Sequence, residues 1–450
     1  MKTAGKTETL YFIFLLGLSK FVTYFVLLVL ANLFLLPDYG RASFVMSAYR
    51  VAILVGSVGL PFVYVPWIIN KKDTSSVFYF LLFLSIAMLL GGLVIGLQHP
   101  WTLPIIFAVP LTILSGVSNA ILRVKHKYHS IQIQGMLLEL YALVGLILLS
   151  GYGKSGIIWG HAISIYLANF ALFYITRKEL WEIMKVFKFN LKVVWEYIRK
   201  GTITSLLYLS MVFLNWIDSL VLGVLSTFEN VAKYNVAGPI SNVLSVLPFA
   251  LSMFLLTRES EVKNQKRSKA ILRRGLRLSF SFSLLMAIVM ISLIFPLIKM
   301  FFPKYVGVEV YVMILSMGIL FYSVYALLYI YETGKLQPEK AFWPLFLAAV
   351  INFVLDVLLI PDYGLYGITF ATTVAHGFAF TALSYKMGLL KEFLPVFPML
   401  LFLPLSYYLG VLGLVLVPVA FGCLYLFKLL KEGDLWIIIK TGFDIFERFR

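Results

Sequence analysis

Apolar runs of about 20 residues, bounded by charged or polar segments, recur along the whole chain. A run of that length and composition is what a helix needs to cross a ~30 Å hydrocarbon layer. The runs fall near 10–36, 42–69, 77–97, 102–122, 131–150, 155–176, 202–225, 235–257, 275–300, 308–331, 341–360, 364–386, 394–410 and 413–430. The stretch Leu394–Leu430 carries no charge before Lys428. As one helix it would be about 55 Å long, far beyond the hydrocarbon thickness, so its length predicts a hairpin turning near Gly410–Gly413.

The pattern repeats at a higher level. Leu358–His376 joins two apolar runs by a turn short enough only for a tight helical hairpin, and Leu148–Ile163 is a weaker copy. Tyr152, Gly153, Gly156 and Ile157 in one match Tyr363, Gly364, Gly367 and Ile368 in the other, about 211 residues on, near half the chain. Leu60-Pro61-Phe62 and Leu247-Pro248-Phe249 form a second echo, about 187 residues apart, and the charged loop Arg258–Arg274 absorbs the difference in offset. The repeated prolines predict matched bends in both halves. The chain therefore reads as two homologous halves plus a tail: a first lobe over 1–176, an amphipathic connector over 177–201, a second lobe over 202–388, a hairpin over 389–430 and an interfacial tail over 431–450.

Composition agrees with the class. A content of 61% hydrophobic and 13% charged residues excludes an ordinary soluble domain. The first apolar run is too long for a signal peptide and has no small-residue cleavage site, so it reads as a membrane span. The single cysteine, Cys423, excludes an internal disulfide or a cysteine metal site. The net charge of +17 is unevenly placed. With the amino terminus inside, basic residues favour the cytoplasmic loops about sixfold, which supports fourteen spans, both termini cytoplasmic, in a cell membrane. Loop placement and anionic headgroups account for the charge without nucleic acid. Arg177–Lys200 has apolar residues at helical spacing with lysines between, the pattern of a helix along the membrane surface. The polar, basic segment Glu261–Arg274 is either a mobile loop or a helix extension.

No Walker loop, Cys/His cluster or HExxH motif is present, and no cofactor is expected. What remains is a set of polar residues inside apolar runs. Ionisable ones cost about 2.5–3.5 kcal/mol each at the bilayer centre and so usually face a protein interior. Lys20 and Arg50 fall within the first two spans. Lys20 lies about 15 Å along its helix, where snorkelling to either surface is difficult. Two cations suit an anionic headgroup such as a phosphate or diphosphate. Asp218, in the seventh span near Asn215, either binds a coupling Na+ or H+ or pairs with Lys20 or Arg50. Asn352 and Asp356 stand one helical turn apart in the eleventh span, and Glu139 lies in the fifth. Asn119, Asn169, Asn242, His161 and His376 read as hydrogen bonds between packed helices.

Leu35–Pro61, the segment IDSLVLGVLSTFENVAKYNVAGPISNVLSVLP and Ile351–His376 together resemble Wzx-type polysaccharide-biosynthesis flippases. These belong to the multidrug/oligosaccharidyl-lipid/polysaccharide exporter superfamily. The most specific part is the ordered set Asn352, Ile360, Pro361, Tyr363, Gly364, Gly367, Ala371 and Thr372. The resemblance implies an all-α polytopic membrane protein of two six-helix lobes around a central cavity, plus two carboxyl-terminal helices. It also implies alternating access, a cationic cavity that Lys20 and Arg50 fit, and a monomer whose candidate protein partners are a glycan polymerase or glycosyltransferases. One departure is Arg199-Lys200-Gly201-Thr202-Ile203, where such proteins often have a proline opening the seventh span.

The implied activity is transport of a polyprenyl-diphosphate-linked oligosaccharide from the cytoplasmic to the outer leaflet, without catalysis. Two other readings remain. A cation-coupled multidrug exporter would want an acidic, aromatic cavity, against which the deep basic residues count. A membrane-embedded glycosyltransferase or polymerase would want long external loops or a carboxylate pair at an interface, and neither is evident.

Overall fold

The computed structural model describes residues 4–57, 64–65, 67–68, 73–125, 127–246, 248, 265–334 and 339–431, and for some of these, Asn215 among them, the backbone alone. Pro61, Pro66, the start of the 258–274 loop and the 432–450 tail lie outside the described residues. The described chain is helical, with no strand among the described residues. In hydrocarbon every backbone N–H and C=O must be satisfied within its own segment, and an unbroken helix does this.

The first compact unit spans Met1–Val236. It contains α1 (Ala4–Leu33), α2 (Leu36–Ser57), α3 (Thr74–Gln98), α4 (Leu103–Val124), α5 (Tyr128–Leu148), α6 (Gly153–Ile175), α7 (Arg177–Lys185) and α8 (Leu191–Leu225), with α9 (Phe228–Asn242) beginning inside it. The second unit, Ala237–Arg450, contains α10 (Gln265–Ser292), α11 (Ile294–Phe301), α12 (Glu309–Gly334), α13 (Glu339–Lys386), α14 (Phe402–Leu409) and α15 (Leu416–Leu426). Eight described helical stretches are long and apolar enough to cross a membrane, and two of them, Glu339–Lys386 and Leu390–Leu426, are of double length. Counting those two twice and adding α1, α2, α8 and α9 gives the fourteen crossings expected from the apolar runs.

Several boundaries differ from the pattern. The second helix starts at Leu36 rather than near residue 42, because Pro37 pre-sets the first turn and Asp38 complements the helix dipole there. Gln265–Arg274 extends α10, which settles the helical alternative for that part of the loop. The amphipathic connector is two helices rather than one, interrupted at 186–190, and Asn190 caps α8 by accepting a hydrogen bond from the Lys192 N–H. α8 then runs as one helix through Gly201 for 35 residues. Contacts divide the chain after Val236, and α8 packs on α2 and α3 in the first unit.

The turn of the two Tyr-Gly repeats recurs a third time without the tyrosine. Gly153 (φ 54°, ψ −134°) and Gly364 (φ 52°, ψ −120°) share a conformation that residues with a Cβ rarely enter. Gly410, at φ 54°, ψ −133°, repeats it in the carboxyl-terminal hairpin. In each case a second glycine follows three residues later where the returning helix touches the outgoing one. A Cβ on Gly156 would sit 1.9 Å from the Leu149 carbonyl oxygen, and one on Gly367 would sit 2.6 Å from that of Leu359. At Gly413 it would lie 2.9 Å from Ser406 Cα. The tetrapeptide Pro-Asp-Tyr-Gly also opens α2 at 37–40, where it is wholly helical, so the turn at 361–364 depends on its tertiary surroundings.

Two effects therefore penalise a side chain at these turns: left-handed strain of about 1–2 kcal/mol and backbone overlap. Gly156→Ala is expected to lower the thermal unfolding midpoint of detergent-purified protein by several degrees. Gly151→Ala, with open space around it, is expected to leave the midpoint unchanged.

Candidate functional site

The first unit brings together three of the charged residues singled out from the sequence. α1 carries Lys20 and Thr23, α2 carries Arg50, and α5 carries Glu139. α1 packs along α5, and α2 packs on α6 and α8. Lys20 and Arg50 are exposed, whereas Glu139 is half-buried. The Glu139 carboxylate lies within coulombic range of Arg50 first and Lys20 second. Thr23 Oγ1 donates to Glu139 Oε1 at 3.4 Å and to the Ser19 carbonyl at 3.0 Å. His161 of α6 also lies within coulombic range of Arg50. A cation at membrane depth needs a nearby anion or polar partner, and Glu139 meets that need for both.

Arg50 has a further contact that the sequence did not signal. Its guanidinium carbon stands 3.8 Å from the centroid of the Trp216 ring on α8. Stacking on an indole face satisfies the flat faces of the guanidinium and leaves its edge N–H groups free to meet a planar or branched anion. Trp216 escaped the sequence reading because a tryptophan in an apolar span looks like packing. The neighbouring Tyr49 hydroxyl lies 2.7 Å from Thr112 Oγ1, and Asn169 Nδ2 donates to the same Thr112 oxygen at 3.0 Å. This network ties α2, α4 and α6 together and gives Asn169 the interhelical role expected of it.

Asp218 is fully buried and accepts a hydrogen bond from the Tyr234 hydroxyl, which links α8 to α9. The side chain of Asn215 lies outside the described residues. In the second unit, Asn352 and Asp356 of α13 are both fully buried, and Asn352 Nδ2 donates to Asp356 Oδ2 at 3.4 Å. The helical-turn spacing read from sequence thus places them on one face. His376 Nδ1 lies 2.7 Å from the Tyr325 hydroxyl, an interhelical hydrogen bond of the kind expected for it. Among the described residues no group of three His, Cys, Asp or Glu side chains is placed to hold a metal ion.

The described residues form a helical, multi-pass bundle with charged side chains set at membrane depth, the build of a membrane transporter. Comparison of folds agrees. The structure of a lipid II flippase, MurJ, in an inward closed conformation matches with a TM-score of 0.74 at 16% identity, covering 92% of this chain and 98% of that one. An inward-facing multidrug resistance MATE family transporter of the MOP superfamily matches with a TM-score of 0.61 at 14% identity, covering 86% and 95%. A family model described as lipid II flippase MurJ matches residues 101–431, and the chain belongs to that family. An uncharacterized membrane protein of Methanocaldococcus jannaschii is 26% identical over 194 residues, which is 42% of this chain and 38% of that relative's length.

The Asp218–Tyr234 bond joins a charge to a hydroxyl in a buried setting, where loss of one partner costs about 1–3 kcal/mol. Asp218→Asn and Tyr234→Phe are each expected to lower the unfolding midpoint of the purified protein. The double variant is expected to be little worse than either single one. Full additivity of the two losses would show that they act separately.

Proposed function

We propose that the protein moves a polyprenyl-diphosphate-linked saccharide from the cytoplasmic to the outer leaflet of the cell membrane by alternating access. The observation that carries this reading is the meeting of Lys20, Arg50 and Glu139 in one unit, with both cations exposed and the arginine backed by Trp216. A diphosphate brings enough negative charge to take both cations, and its branched oxygens match the free edge of a stacked guanidinium. Glu139 then has a definite role. With no cargo bound it compensates the two cations, and an arriving diphosphate competes with it for them. That competition limits how tightly the headgroup is held, so the cargo can leave on the far side.

The saccharide is either a precursor of peptidoglycan, as in the lipid II flippase whose fold this chain shares, or a precursor of a surface polysaccharide, as the resemblance in sequence implies. The coupling cation, Na+ or H+, is assigned to Asn352 and Asp356, whose buried oxygen donors suit a hard cation, with Asp218 as a further candidate. The protein acts as a monomer in this reading, beside a glycan polymerase or glycosyltransferases. Export of organic cations is the second reading, favoured by Glu139 and by the likeness to a multidrug transporter. In that case the carboxylate would hold the cargo and the two cations would repel it.

Transbilayer movement of a fluorescent lipid-diphosphate oligosaccharide in proteoliposomes tests the assignment. Arg50→Ala and Lys20→Ala are each expected to slow flipping by about tenfold or more, the equivalent of a lost hydrogen bond to a charged group. Arg50→Lys is expected to recover only part, because an ammonium lacks the flat edge. Flipping at the parental rate in all three variants would move the headgroup site elsewhere. Transport of an organic cation that depends on Glu139 but not on Arg50 would favour the exporter.

A further inference from the structure

The connector between α6 and α8 carries apolar surface that the protein itself does not use. α7 already has a satisfied inner face: Leu180 is buried in a cluster with Tyr64, Trp67, Phe78 and Tyr197, and Ile183 packs against it. Hydrogen bonds hold the connector in place. Ser75 Oγ donates to the Ile183 carbonyl, Ser76 Oγ to that of Lys188, and the Tyr79 hydroxyl to that of Met184, at 2.9, 3.1 and 2.8 Å. Large side chains of the connector nonetheless stay exposed, Phe187 with one ring edge against Tyr79. Trp181 is 64% exposed, Phe187 79%, Leu191 71% and Trp195 67%. Leu191 and Trp195 are one helical turn apart and form a stripe.

The chemistry around them selects the occupant. Between Arg177 and Lys192 there are five basic residues and two acidic ones, and one of the acidic pair, Glu179, is engaged by Lys125. Lys178, Lys185 and Lys192 are exposed beside the aromatic groups. Arg177 stacks on Tyr174 at the end of α6, 4.2 Å from its ring centroid. Aromatic side chains interleaved with lysines suit the boundary between acyl chains and headgroups, where rings enter the boundary and ammonium groups meet phosphates. A soluble protein partner would need no such alternation.

We propose that residues 177–195 form a lipid-binding belt that recruits anionic phospholipid from the leaflet on the lysine-rich side of the membrane. The belt is fixed to the first unit and works independently of which cargo is carried.

The test uses the full chain in vesicles, with Cys423→Ser as background and a fluorophore on Phe187→Cys. A quencher is placed high on the acyl chain of either phosphatidylglycerol or phosphatidylcholine at equal mole fraction. Quenching from phosphatidylglycerol is expected to exceed that from phosphatidylcholine by about threefold at low salt and to fall as salt rises. Neutralising Lys178, Lys185 and Lys192 to Gln is expected to equalise the two carriers. The same fluorophore on Tyr408→Cys, at the end of α14, is expected to show no preference. Equal quenching from both carriers in the parent would overturn the anionic preference. Quenching only by aqueous iodide would overturn lipid binding altogether and point to a soluble partner. Leu191→Cys supplies the same readout if Phe187→Cys does not yield folded protein.

Discussion

A polypeptide inside hydrocarbon has no water to satisfy its backbone, and most of this fold follows from that single constraint. Each crossing is a helix, and the places where helices reverse must be as short as the chain allows. The Gly-x-x-Gly turn meets both demands. Its first glycine adopts the mirror-image backbone angles that reverse direction, and its second lets the two arms touch through their backbones. The same positive φ recurs at Gly153, Gly364 and Gly410, although the residues flanking the three glycines differ.

The constraint that orders the backbone also ranks the side chains. Most polar groups at membrane depth serve helix contacts, as Asn169 and His376 do. Lys20, Arg50 and Glu139 differ because two cations share one carboxylate, leaving a net positive charge that packing alone does not need. Trp216 adds to that imbalance. It stabilises the guanidinium through its ring face without neutralising it, so the positive charge remains available to an anion.

Helix count and the two hairpins with Tyr-Gly turns were legible in the chain, because each is written in local composition: the length of an apolar run, a glycine pair. The superfamily was legible too, through the ordered set from Asn352 to Thr372. What escaped was whatever depends on long-range placement. Within the connector only Asn190, a residue type that caps helices, hints at a break there, and the break is held by Ser75, Ser76 and Tyr79 more than a hundred residues earlier. The third turn was placed near Gly410 by length alone; it shares the glycine spacing of the other two but not their tyrosine, and its kinship was confirmed by its angles. The partnership of Arg50 with Trp216 required α2 and α8 to be seen side by side.

The unbroken course of α8 has a mechanical meaning. Near its start, Tyr197 is wedged against Trp67 and Tyr64, with ring centroids 5.5 and 6.5 Å away. Five turns later, Trp216 meets Arg50 about 28 Å along the axis. With no proline and no break in the helix between them, the segment is a single rod clamped at one end. Tilting the indole away from the guanidinium would have to strain the aromatic clamp as well. The Arg50–Trp216 contact and the seating of the connector are thus two ends of a single lever.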